Sequence, residues 1–287
     1  MRRFRMVRLG PTIAYLAAWL VPWRSYVKVR AAKSGLEFFS HRRSLIARHI
    51  AKYGAIEPDL TDWLSAYLSS CRPGLFVDAG ANVGWHALHA ARMPGVEAVV
   101  ASEPDPTNAW LFDRNRRQVD AKIVLMVAAL AEKRGTALLH RYKNSNPGRH
   151  SMAVGYDLGS VRVPVLDLDG AIDDLGFGDQ SIAVLKIDVE GFEPAVIAGA
   201  RRTLGRTQVV VLELSPALHR RAGFSTEAMV QTLRTAGFSP FTVGSGGRLR
   251  PDAVDWIDQD YVIDLVWIKD DPNAHRDMCA AIEARAI

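Results

Sequence analysis

The stretch Phe76–Leu88, FVDAGANVGWHAL, runs from an apolar, strand-like segment through a small-residue turn into a helical pattern. Gly80 and Gly84 let the backbone bend sharply and approach a ligand closely, and Asp78 stands at the strand end, placed to bind a ligand donor. In an open parallel sheet, ligands sit beyond the carboxyl ends of the strands, where the first strand-to-helix turn exposes backbone N–H groups. Further along, a second strand-like run ends in ASEPD, which puts Glu103 where an acid can accept both hydroxyls of a ribose. Together these two strand ends point to a nucleoside cofactor.

The loop does not fit a dinucleotide. That fingerprint needs G-x-G-x-x-G, whereas here three residues separate Gly80 from Gly84 and the glycine that would hug a pyrophosphate is missing. The D-x-G-x-x-x-G spacing instead suits a cofactor with a zwitterionic amino-acid tail, such as S-adenosylmethionine. A glycine-rich turn with no ligand is the competing reading, and Glu103 weighs against it.

Outward from this loop, after Pro73, short apolar runs alternate with amphipathic ones. LFVDAG, VEAVVASEPD, AKIVLMVAAL, SIAVLKIDVEG, TQVVVLELS and YVIDLVWIKD read as strands, with helices expected near 83–93, 106–118, 193–204 and 226–236. Such alternation implies an α/β fold with a mostly parallel sheet covered on both faces. The strand near Tyr261 follows the turn-rich VGSGGRLRPDA rather than a helix, so it is free to enter antiparallel.

The N-terminal side has another character. Residues 1–50 carry eleven Lys and Arg against one acid, Glu37, whereas the rest of the chain has 25 basic and 30 acidic residues. The basicity is therefore a property of an arm, and a mildly acidic main domain argues against nucleic acid as partner. Within the arm, LGPTIAYLAAWLVPW (Leu9 to Trp23) is apolar all round and flanked by arginines. It is shorter than the roughly 20 residues a spanning helix needs, and no A-x-A-like cleavage site follows it promptly. It reads either as a helix packed on the domain or as an interfacial anchor, with Tyr15, Trp19 and Trp23 at headgroup depth and the arginines on anionic lipid. From Gly35 to Ser70 the pattern is read as helical. The expected organisation is a basic apolar arm (1–34), a helical cap (35–72), a cofactor-binding catalytic domain (73–270) and a C-terminal tail (271–287). Cys71 and Cys279 lack CxxC spacing, which implies neither disulfide nor zinc and fits a cytoplasmic setting, peripheral at the inner membrane face if the arm meets lipid.

The segments FVDAGANVGWHAL, SEPDPTNAWLFDRN, VPVLDLD and above all LKIDVEGFEPAVIAGA resemble the FkbM-type methyltransferases, a branch of the class I S-adenosylmethionine-dependent enzymes, over about Glu57 to Lys269. The resemblance implies a seven-stranded Rossmann-like sheet with one antiparallel strand, and O-methylation of hydroxyls on sugars, polyketides or related products. It implies that Asp78, Gly80, Ala81, Asn82 and Gly84 line the methionine moiety and Glu103 the ribose. Where many class I enzymes carry an acid for the adenine amino group, LMVAAL offers only backbone.

KIDVEGFE places Lys186, Asp188 and Glu190 at the exit of a central strand, in the crevice of the cofactor loop. Asp188 or Glu190 is expected to orient and deprotonate a substrate hydroxyl, with Lys186 keeping neighbouring carboxylates ionised. The structural alternatives are Glu190 as a helix cap and Asp188 as a turn-holder. Glu193 reads as a first-turn helix acid. Glu213 either meets substrate or metal at that edge or is a buried acid paired with an arginine, His86 is a helix-surface residue or else a substrate or base residue, and His150 is a lid-loop candidate. No metal set is assigned, because no histidine or second acidic cluster of matching spacing accompanies these carboxylates. Neither [DNS]-P-P-[FYW] nor a Pro-Cys nucleophile occurs, which argues against nucleobase targets and leaves oxygen. A scaffold that binds without turnover and a nicotinamide oxidoreductase are the other classes in view.

Overall fold

The computed structural model describes residues 7–17, 25–141, 152, 159–255, 257 and 262–270. The N-terminal part forms α1 (Leu9–Ala17), β1 (Tyr26–Arg30), β2 (Glu37–His41), α2 (Leu45–Tyr53) and α3 (Pro58–Leu68). Then come β3 (Gly74–Ala79), α4 (Trp85–Ala90), β4 (Val96–Ser102), α5 (Pro106–Arg116), β5 (Ile123–Met126), β6 (Ala129–Leu130), β7 (Gly135–His140), β8 (Ser160–Leu166) and α6 (Leu168–Asp174). The chain continues through β9 (Ile182–Ile187), α7 (Glu193–Ala198), α8 (Arg201–Gly205), β10 (Thr207–Leu214), α9 (Pro216–Arg221), α10 (Thr226–Thr235), β11 (Phe238–Val243), β12 (Leu249–Pro251) and β13 (Ile263–Lys269).

The main sheet has the order β12-β11-β13-β10-β9-β3-β4-β5. Strands β3, β4, β5, β9 and β10 pair in parallel, and β13 enters antiparallel between β10 and β11, as the turn-rich approach to it allows. Its order reverses between β3 and β9, so the cofactor loop opens at the switch point where such sheets bind ligands. A three-residue edge strand, β12, adds an eighth member antiparallel to β11. The central strands β3 and β9 are buried along their whole length, which is why FVDA and IAVLKI read as continuous apolar runs rather than alternating ones. On one sheet face Phe76, Val184, Val211 and Val266 pack under the N-terminal elements. On the other, Val77, Leu185, Val210 and Trp267 pack under the later helices.

Two expectations need correction. Residues 35–43 are not helical: β2 pairs with β1 as an antiparallel hairpin that straddles the expected division at residue 34. The cause is visible in YVKVR and EFFSH, where Val27, Val29, Phe38 and Ser40 are buried at every second position. The hairpin is fastened to the main domain by two amides of α5 and its end. Asn115 exchanges hydrogen bonds with both backbone groups of Phe39, and Gln118 does the same for Glu37. The run expected as one helix over 193–204 is broken at Gly199 into α7 and α8, since the Gly199 backbone lies against Ala131 O, 2.2 Å from where a Cβ would stand.

Candidate active site

Beyond the carboxyl ends of β3, β4, β9 and β10 lies a cavity of about 420 Å³. Three of the four non-glycine residues with positive φ among the described residues line it: Glu57 (+39°), Asn82 (+52°) and Glu190 (+51°). Such backbone is costly and collects at sites where position matters more than comfort.

The turn after β3 is shaped by its glycines in two ways. Gly80 has φ +84°, and a Cβ there would stand 1.8 Å from the Asp188 carbonyl oxygen, so the first loop and the KIDVEG loop touch backbone to backbone. Gly84, φ +90°, caps α4, and a Cβ there would strike Leu88 and Phe112 at 2.7–2.8 Å. Gly84 thus permits helix packing and does not itself line the cavity, whereas Asp78, Gly80, Ala81, Asn82 and Glu103 all do.

Asp78 is 1% exposed and neither of its carboxylate oxygens makes a well-formed hydrogen bond, the Ala87 backbone N–H pulling on it only weakly; Asn82 Oδ1 is buried and unpartnered. Burial pushes the Asp78 carboxyl up, against the pull of Lys186. Buried acceptors without donors are expensive unless a ligand supplies the donors, and an α-ammonium group does so with charge. Glu103 is also buried, and its two oxygens accept from the backbone N–H of Asn82 and of Asp105, each at 2.8 Å. Desolvation raises it to about 8. The second acid of SEPD, Asp105, caps α5 by accepting from the N–H groups of Thr107 and Asn108. Where LMVAAL offered only backbone for an adenine, the structure supplies apolar walls from Ala129, Leu130, Leu139 and Met152.

Toward β9, β10 and β13, strand register gathers the charges. Asp78 pairs across with Lys186, Lys186 with Val211, and Glu213, two residues on, with Asp264, so four adjacent strands point ionisable groups from one sheet face. Lys186 Nζ donates to Asp188 Oδ2 at 3.0 Å. Burial alone would pull Lys186 down, but Asp188, Asp78 and Glu57 outweigh it and hold the ammonium above its ordinary value. Asp188, Glu190 and Glu213 each bring a carboxylate oxygen within 4.8 Å of the others. That crowding, after burial itself, pushes Glu213 well up, and burial together with Glu57 and Asp188 raises Asp264 to about 7. No arginine bonds Glu213 among the described residues.

One side chain was misread from sequence and one was missed. His86 is buried, not on a helix surface, and its Nε2 lies 2.8 Å from Glu57 Oε2. Burial opposes ionisation of Glu57, but the His86 bond and charge win and hold it at about 2. Glu193 does open α7, yet it is fully buried: it accepts from the N–H groups of Val189 and Gly191 and from His219 Nε2 at 2.8 Å, while His219 Nδ1 meets Thr226. Glu193 therefore clamps the loop that carries Asp188 and Glu190, and the N-cap position of α7 is Phe192 rather than Glu190. His219, 26 residues away in sequence, gave no local signal. His150 lies outside the described residues.

The methyltransferase FkbM domain matches residues 78–240. None of the curated proteins compared matches the chain. Solved structures with a similar fold include the methyltransferase FkbM from Methylobacillus flagellatus, 16% identical over 68% of this chain with a TM-score of 0.42; the chain spans 43% of that protein's length. A SAM-dependent methyltransferase from Agrobacterium tumefaciens is 13% identical over 85% of this chain and 69% of its own, TM-score 0.44. M. jannaschii TYW2, solved in complex with AdoMet, is 10% identical over 86% of this chain and 87% of its own, TM-score 0.38. The family match runs from the acid at the end of β3 into β11 and covers more than half of the sequence, and the chain accordingly belongs to the FkbM methyltransferase domain family, with an α/β, Rossmann-like fold.

Proposed function

We propose that the protein methylates oxygen, on a hydroxyl of a sugar, glycolipid or polyketide-like acceptor, as a cytoplasmic enzyme peripheral at the inner membrane face. The observation that carries this is the carboxylate group of Asp188 and Glu190 in the same cavity as the buried Asp78. When bound, S-adenosylmethionine supplies a methyl group already activated by its sulfonium. Asp78 and Asn82 would accept from its ammonium group, Glu103 from the ribose hydroxyls, and Gly80 and Ala81 would let it lie against backbone, with Gly84 holding the turn on α4.

The chain's own work is then alignment and proton handling. Lys186 occupies Asp188 Oδ2, which leaves Oδ1 for the acceptor hydroxyl. Asp188 would take up the hydroxyl proton as the acceptor oxygen receives the methyl group that the cofactor would supply. Glu190 flanks that oxygen, and the Glu193 clamp keeps both in place. The test is transfer of a ¹³C-methyl group from S-adenosylmethionine to extracted saccharides and glycolipids. A product carbon at a methoxy shift supports the reading; a methyl on nitrogen, carbon or sulfur, or no transfer by cofactor-binding protein, counts against it.

A further inference from the structure

Helix α1 packs on the protein by one side only. Tyr15 is buried with its Oη donating to Arg42 O, and the Arg8 backbone N–H donates to Lys52 O while its guanidinium reaches Arg30 O. The opposite side shows Leu9 at 72%, Ile13 at 64% and Leu16 at 55% exposure, spaced four and three apart, with Val7 at 43% before them. This is one apolar stripe on a helix. In sequence, the described residues up to Ile56 carry eight Lys and Arg and a single acid, Glu37; Lys28 pairs with Glu37 and Lys33 with Asp62 of α3. No helix among the described residues is long and apolar enough to cross a membrane. An exposed apolar stripe on a segment of strongly basic sequence is the pattern of a helix lying in the plane of an anionic bilayer, its stripe among acyl chains and its cations on headgroups.

The stripe is also close to the chemistry. Helix α1 packs against α2, whose Ile46 lines the active-site cavity, as does Ile56 just beyond its end. A bilayer under α1 therefore sits one helix away from the cavity. We propose that α1 seats the enzyme on an anionic membrane surface, so that it works on acceptors anchored in that membrane; the second clause rests on the O-methylation reading, the first does not.

The test is sedimentation of the full chain with phosphatidylcholine vesicles and with vesicles containing phosphatidylglycerol, at low and high salt, with S-adenosylhomocysteine affinity measured in parallel. The wild type is expected to follow the anionic vesicles and to weaken in high salt as screening grows. A Leu9→Ser/Ile13→Ser/Leu16→Ser variant should lose at least about tenfold in vesicle affinity, whereas Leu138→Ser, at an exposed leucine of β7, should not. Homocysteine-ligand affinity should be the same in all three. If the triple variant binds vesicles as well as the wild type, or the wild type binds none, the assignment of α1 is overturned. Loss of self-association instead of vesicle binding in the triple variant would assign the stripe to a second copy of the chain. Vesicle binding without ligand binding would leave α1 standing and sink the methyl-transfer reading.

Discussion

Replacing Glu103 with Gln tests the ribose contact through its proton. Glu103 is 5% exposed and held between two backbone N–H groups, and burial lifts it from its ordinary 4.5 to about 8. A raised carboxyl contributes stability that is fully present below pH 4.5 and is lost as pH climbs through 8. Each tenfold change in proton affinity is about 1.4 kcal/mol, so this contribution is on the order of 5 kcal/mol. Ribose hydroxyls are donors and bind the ionised carboxylate better, so ligand binding below pH 8 must expel the proton. The ligand to use is 5′-methylthioadenosine, which keeps the ribose but has no ammonium to engage Asp78. Its affinity should rise by up to about tenfold per pH step between 6 and 8 and level off above. In Glu103→Gln the slope should vanish. The affinity at pH 8.5 should fall roughly 10- to 150-fold, the value of one charge-assisted hydrogen bond. Gln also turns an amide N–H toward one of the two backbone donors, which weakens the loop, but a purely structural defect would leave the slope intact. A flat wild-type profile from pH 6 to 9, read by calorimetry, would refute the reasoning.

Asp78→Asn should weaken S-adenosylhomocysteine by about tenfold or more while raising the melting temperature of the ligand-free protein, since it removes a buried carboxylate that makes no well-formed hydrogen bond; thermal scans with and without ligand separate the two effects. Asp188→Ala should spare ligand affinity and abolish methyl transfer, and full activity on the true acceptor would remove Asp188 from the mechanism. Glu193→Ala should cost about 3–5 kcal/mol in urea unfolding, because it strands His219 and releases the Val189–Gly191 loop. Dialysis against EDTA should leave transfer unchanged, and restoration by Mg²⁺ of an activity lost in dialysis would assign a cation to Asp188, Glu190 and Glu213.

The parallel core and the placing of Asp78 and Glu103 at strand ends beside one cavity were readable because their signals are local. FVDAG and ASEPD each end a buried strand on an acid, and two strand ends suffice to define a switch-point site. What could not be read depends on register or on distant partners. The alignment of Asp78, Lys186, Glu213 and Asp264 arises only when β3, β9, β10 and β13 are placed side by side, in an order the chain does not follow. Glu193 looked like an ordinary first-turn acid until His219 arrived beside it from the other end of β10. The N-terminal hairpin carries its own signal, Val27 and Val29 alternating with more polar neighbours, but the run is short and lies between two apolar helical patterns that mask it.

The central claim is a site for S-adenosylmethionine at the ends of β3 and β4. Calorimetric titration of the purified chain with S-adenosylhomocysteine, with NADH as control, tests it most directly. Saturable one-to-one binding of the first alone, lost or strongly weakened in Asp78→Asn, is the predicted result. Absence of binding by folded protein, or equal binding by Asp78→Asn, would contradict the account.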